Sequence, residues 1–303
     1  TALRTLSLLS LLLCLTAPVQ AQEVLTVEHA KGQTQVQKLP KTVAVLDWST
    51  LDTMAALGVE AQGIPAGELL PDGLQQYADG QFVRIGTLFE PDFEAIKNLK
   101  PDLIILGRRA ASHFEEASKY GPTLDLTPAP KDLPGSVVRH TELLGEVFGR
   151  QDKATKLTTE LNDSIAKLQQ LTAKQGTGMT LLTTSGKMAA LGVGTRFSLI
   201  HDVFGMQLTA AEIEKDSQER SVSYEFIQKA NPDWLFVMDR DAAIGREGES
   251  AGQVMEHELI KQTVAGQKQQ IVYLDPQAWY LLDSSGVRVL QANINQLLDA
   301  FGK

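Results

Sequence analysis

The sequence predicts an α/β protein of two lobes, each with a mostly parallel sheet, joined by one long helix. Three observations carry that prediction. NLKPDLIILGRR (residues 98–109) has an echo in KANPDWLFVMDR (229–240), so one unit is built twice. The apolar runs inside both copies, LIIL and WLFV, are continuous rather than alternating, the pattern of strands covered on both faces. Between the halves, Ala154, Leu157, Leu161, Ile165, Leu168 and Leu171 recur at helical spacing through residues 150–174, with no glycine or proline. At about 1.5 Å per residue that helix is roughly 35 Å long, about one domain diameter.

The elements follow in chain order. Residues 1–21 place Arg4 before an apolar run, then Pro18 and the small-residue site ending at Ala21. This is the pattern of a cleavable signal peptide, which implies export to the periplasm. The only cysteine, Cys14, lies inside it. The expected lobes are 22–149 and 175–303. In the first, VAVLDW (43–48) is a strand, and STLDTMAALG forms an amphipathic helix after it. A helix capped by Asp92 then leads through Pro101-Asp102 into LIIL, and TLDLTP (123–128) is a later strand closed by proline. The second lobe opens with the strand MTLLTT (179–184), then a helix over RFSLIHDVFG. A helix capped by Ser223 leads through Pro232-Asp233 into WLFV, and IVYLDP (271–276) repeats the closing strand.

Composition is ordinary for a globular protein, with 43% hydrophobic and 21% charged residues. A formal charge of −9 argues against nucleic acid as a partner. An anionic ligand would need a local basic pocket opposing that field. The five histidines, His29, His113, His140, His201 and His257, show no metal-site spacing. No nucleophile elbow, Walker sequence or paired-cysteine motif occurs, so binding is favoured over catalysis and no intrinsic cofactor is expected. A monomer is expected.

Ligands of open α/β sheets bind beyond the carboxyl ends of the strands. Arg109 and Arg240 stand just past those ends, one per lobe. Either each neutralises a nearby carboxylate, or both aim at a shared anion. Arg196, in GVGTRFSL, is a third candidate at the start of a helix. Trp279 and Tyr280 follow the strand end at Asp275-Pro276. They are either core, or wall: Trp279 or Trp48 could stack on a ring, and Tyr280 could donate a hydrogen bond or, as phenolate, bind Fe(III).

Four stretches, PDFEAIKNLKPDLIILGRR, GVGTRFSLIHDVFG, NPDWLFVMDR and YLDPQAWYL, resemble the periplasmic substrate-binding proteins of ABC importers for ferric siderophores, in particular the catecholate branch. The resemblance covers nearly all of the chain after residue 21. It implies the class III fold, two α/β lobes on one backbone helix. It also implies that Arg109, Arg196 and Arg240 face an anionic ferric catecholate, with iron as transported ligand. Tyr280 matches a tyrosine that ligates iron when a siderophore that is not hexadentate leaves sites open. Where relatives carry a histidine this chain has Gln218, a poor Fe(III) ligand, and Arg220 nearby adds charge. Glu94 and Glu225 match the acids that dock on the membrane permease; both also suit a first helical turn. The alternatives are a haem or corrinoid carrier of the same fold and an exported hydrolase using Asp275 or Asp283.

Overall fold

The structure is a computed structural model and describes residues 23–67, 69–213 and 219–302. The signal-peptide reading of residues 1–21 and the reading of Gln218 lie outside the described residues. Two five-stranded sheets form the lobes. In the first, strands β3 (Val43–Leu46), β4 (Gly63–Ile64), β5 (Val83–Arg84), β6 (Leu103–Leu106) and β7 (Thr123–Asp125) run parallel in the order β5-β4-β3-β6-β7. All four residues of β3 and of β6 are buried, as their continuous apolar runs require. Ahead of them β1 (Val24–His29) and β2 (Gly32–Gln37) make a separate antiparallel hairpin.

The second sheet contains β8 (Gly178–Thr184), β9 (Lys187–Ala190), β10 (Arg220–Ser221), β11 (Trp234–Asp239) and β12 (Ile271–Tyr273), in the order β10-β9-β8-β11-β12. Its half around β8, β11 and β12 is parallel, whereas β9 pairs antiparallel with β8 and with β10. The sheet is therefore mixed. A hairpin turn at Ser185-Gly186, both with positive φ, returns the chain as β9 where sequence reading goes straight to a helix. That helix is a single turn, Leu199–Asp202, so Arg196 stands in the loop before it.

The repeated unit folds twice in the same way. Helix Phe93–Leu99 is capped by the Asp92 carboxylate, which accepts from the Ala95 N–H. Helix Tyr224–Ala230 is capped by the Ser223 hydroxyl, which accepts from the Phe226 N–H. Each ends on a left-handed residue, Lys100 or Asn231, before the Pro-Asp turn into β6 or β11. Asp102 and Asp233 then accept backbone N–H bonds that fasten the turn, from Thr42 and Thr177 respectively.

The backbone helix spans Gln151–Thr172, 22 residues or about 33 Å. The C-terminal helix Val287–Phe301 packs along it. This last helix begins on the first lobe's surface. Its cap residue is Gly286, which has no side chain to offer. Asp52 of helix Trp48–Leu57 serves instead, accepting at 3.1 Å from the N–H groups of both Arg288 and Val289. The same carboxylate, wholly buried, meets the Arg288 guanidinium at 2.5 Å. Thr53 accepts from the Val287 N–H, and the Ser49 hydroxyl donates to the Leu282 carbonyl. Ala278, Leu282 and Val289 accordingly belong to the first lobe's apolar core.

Candidate functional site

A cleft opens where the two lobes face each other at their strand ends. It encloses about 1080 Å³, counting space open to solvent, the size class of small-molecule sites at roughly 300–1,000 Å³. Leu126, Leu133, Leu144, Leu199 and Val203 supply apolar wall; Arg108, Arg109, Lys131 and Arg196 supply charge.

The first lobe contributes Arg108 and Arg109 from the loop just past β6. Packing fixes Arg109 tightly: its side chain is only 15% exposed and its Nη1 donates to the Leu281 carbonyl at 3.0 Å. The second lobe contributes Arg196. Its loop is set by Gly194 at φ +77°, a conformation that favours glycine, whose N–H donates to the Asp202 carboxylate at 2.9 Å. Burial lowers the pKa of Arg196; Asp283 acts in the opposite direction, and Arg108 and Arg109 reinforce the lowering. A guanidinium so placed remains charged.

These arginines meet at one carboxylate. Asp283 accepts from Arg108 at 2.5 Å, lies 3.7 Å from Arg109, and is ion-paired with Arg196. Asp47 also lines the cleft, but its carboxylate caps helix Trp48–Leu57, accepting from the Thr50 N–H and hydroxyl at 2.9 and 2.8 Å. Burial pushes its pKa up.

Arg240 and Tyr280 stand beside this group rather than among the cleft-lining residues. Arg240 opens the short helix Arg240–Ala243, directly after β11, and donates from Nε to the Tyr280 hydroxyl at 2.8 Å. Asp239 caps that helix, and buried Asp241 ties it to the β8–β9 turn by accepting from the Ser185 N–H. The Tyr280 ring stacks on Phe197, centroids 5.2 Å apart, and Arg196 lies over both rings. Guanidinium and phenol thus form one continuous stack from Arg240 to Arg196.

Two expected wall residues are elsewhere. Trp48 is buried in the first lobe's core. Trp279 is 2% exposed in the core of the second lobe, where its indole N–H donates to Gln296. The single turn Gln277–Leu281 explains the split: neighbouring residues point apart, so burying Trp279 leaves Tyr280 nearer the cleft. Arg220 is not on the cleft either. It lies in edge strand β10, its guanidinium over the Phe226 ring at 4.5 Å. Glu94 and Glu225 are exposed in the first turns of the twin helices.

Sequence reading overlooked Arg108, Lys131 and the placement of Asp283. The doubled arginine after β6 was the available signal for Arg108. His140 also lines the cleft: burial, reinforced by the Arg139 charge, pushes its pKa down to about 4. His201 is a packing residue, bonded to Thr180 and to the Met206 carbonyl. Among the described residues, no group of three His, Cys, Asp or Glu side chains is placed to hold a metal ion, and no helix is long and apolar enough to cross a membrane.

Residues 43–278 match the family model described as periplasmic binding protein. The petrobactin-binding protein YclQ of Bacillus subtilis is 36% identical over 287 residues, covering 93% of this chain and 90% of its own. Its crystal structure superposes with a TM-score of 0.83 at 34% identity, covering 93% of this chain and 100% of that one. The catecholate-siderophore binding protein VctP of Vibrio cholerae superposes at 0.82 with 29% identity, covering 90% of this chain and 99% of its own.

Proposed function

This chain belongs to the periplasmic binding protein family, and from that premise we propose that it captures a ferric siderophore of catecholate type outside the cytoplasm and delivers it to an ABC importer. The observation that carries the reading is the meeting of Arg108 and Arg109 from one lobe with Arg196 from the other, in a protein of net charge −9. A ferric tris-catecholate carries about three negative charges, and in a partly desolvated cleft several guanidinium groups offset them better than in water. Arginine suits catecholate oxygens because its planar fork donates several charge-assisted bonds at once. The petrobactin and catecholate ligands of the relatives support the same ligand class.

Iron is cargo in this reading. Where the siderophore fills all six sites, Tyr280 only donates a hydrogen bond. Where it leaves sites open, the phenolate joins the iron, and Arg240 and Arg196 offset its charge. The apolar wall of Leu126, Leu133 and Leu199 covers the catechol rings. No bond in the siderophore is broken by the protein. Glu94 and Glu225, at matching places on the two lobes, then engage the permease. Intrinsic fluorescence titration with ferric tris-catecholate tests the reading: saturable quenching at micromolar ligand is expected, and its absence refutes it.

A further inference from the structure

The arginine cluster contains its own anion. Three guanidinium groups, two from the first lobe and one from the second, share a single carboxylate. The Asp283 side chain is 12% exposed, so it is held inside the site rather than at its mouth. The backbone that carries it is unusual. Asp283 has φ +52° and Ser284 φ +57°, two successive non-glycine residues in the left-handed region. Such strain persists only where the surroundings over-determine it.

Here they do, from both lobes. The Leu282 carbonyl accepts from Ser49 of the first lobe and from the Ser285 N–H. The Ser284 N–H donates to the Ala278 carbonyl, and its hydroxyl accepts from buried Asn293 of the C-terminal helix. The turn thus presents one negative charge at the point where the positive charges meet. The other cleft-lining carboxylates, Asp47 and Asp202, already accept from backbone N–H groups, of Thr50 and Gly194, and compete less.

We propose that Asp283 is the site's built-in counter-anion: it holds the guanidinium cluster together in the empty protein, and a ligand binds by taking the arginines from it. Two consequences follow from the charges alone. The carboxylate joins Arg108 and Arg109 to Arg196, so it keeps the lobes drawn together before any ligand arrives. Displacing it is also a fixed cost that every ligand meets, so weakly charged complexes fall below useful affinity while polyanions remain bound. Asp283 is therefore a specificity-determining residue. The identity of the polyanion rests on the siderophore reading above; the exchange itself needs only an anion.

Asp283→Asn and Asp283→Gly test this. Both residues tolerate the left-handed region, so the turn survives while the charge goes. In thermal melts at constant ionic strength, inorganic sulfate replacing chloride should raise the midpoint of both variants and leave the wild-type protein unchanged, since the uncovered cluster takes the anion. In quenching titrations, both variants should bind ferric tris-catecholate roughly 10- to 100-fold more tightly. The less charged bis-catecholate complex should become measurable. No sulfate response in either variant overturns the proposal. So does a sulfate response with weaker catecholate binding, which would make Asp283 a ligand contact. A sulfate response in the variants, with no ferric catecholate bound by any of the three proteins, supports the counter-anion and refutes the siderophore reading instead.

Discussion

Single residues decide how this cleft meets an anion. Arg109→Ala and Arg196→Ala each remove a charge-assisted donor, and each should weaken ferric tris-catecholate binding about 10- to 100-fold in quenching titrations. The loss should shrink as salt rises, because screening weakens the wild-type attraction too. His140 gives a separate prediction. Its ordinary pKa of 6.5 falls to about 4 in the fold. The unfolded chain then binds the proton first, so this group's contribution to stability is complete above about pH 6.5 and is lost as pH falls toward 4. His140→Gln should flatten the midpoint-against-pH curve over that window in calorimetry. At this scale the cleft position of Arg109 was legible, because a strand end fixes where a following residue goes; Arg240 follows β11 in the same way yet stands beside the cleft-lining residues, and Arg196 lies in a loop that no strand end fixes. The tryptophans were not legible. Trp48 and Trp279 follow strand ends just as Tyr280 does, and only the packed core shows which rings it takes.

At the scale of elements, the chain's internal repeat was the clearest signal. A capping residue, a short helix, a left-handed stop and a Pro-Asp turn occur twice and fold alike. Asp92→Ala and Ser223→Ala should each cost about 1 kcal/mol, a drop of roughly 2–4 °C in the melting midpoint. Similar losses from two different cap chemistries would show that the units are energetically equivalent. Short or half-exposed strands were illegible for a physical reason. Only Val27 of β1 and Val36 of β2 are buried, so the hairpin shows too little apolar pattern to read. β4 and β5 have two residues each, too few for any period. β9, with Met188 and Ala190 buried and Lys187 exposed, alternates for only four residues.

For the whole molecule, the two halves are more than neighbours on a strut. Sequence spacing placed the long helix and both sheets, yet it gave no sign that the last helix starts on the opposite lobe. That connection depends on Asp52, a lone acid in an otherwise ordinary helical stretch. Asp52→Ala removes two capping bonds and leaves Arg288 without its buried partner. A loss of about 1–3 kcal/mol is expected in denaturant unfolding, since two capping bonds are lost while the Arg288 guanidinium, 39% exposed, still reaches solvent. With the joint intact, small-angle scattering should show little change in radius of gyration on ligand binding.

Ala278, Leu282 and Val289, from the last tenth of the chain, complete the apolar centre of the half that is made first. A chain emerging from the ribosome therefore cannot complete the packing of its leading half early. That half waits, incompletely packed and still threadable, until almost everything has been synthesised. For the exported carrier proposed above, this delay would keep the chain loosely packed until its last helix arrives.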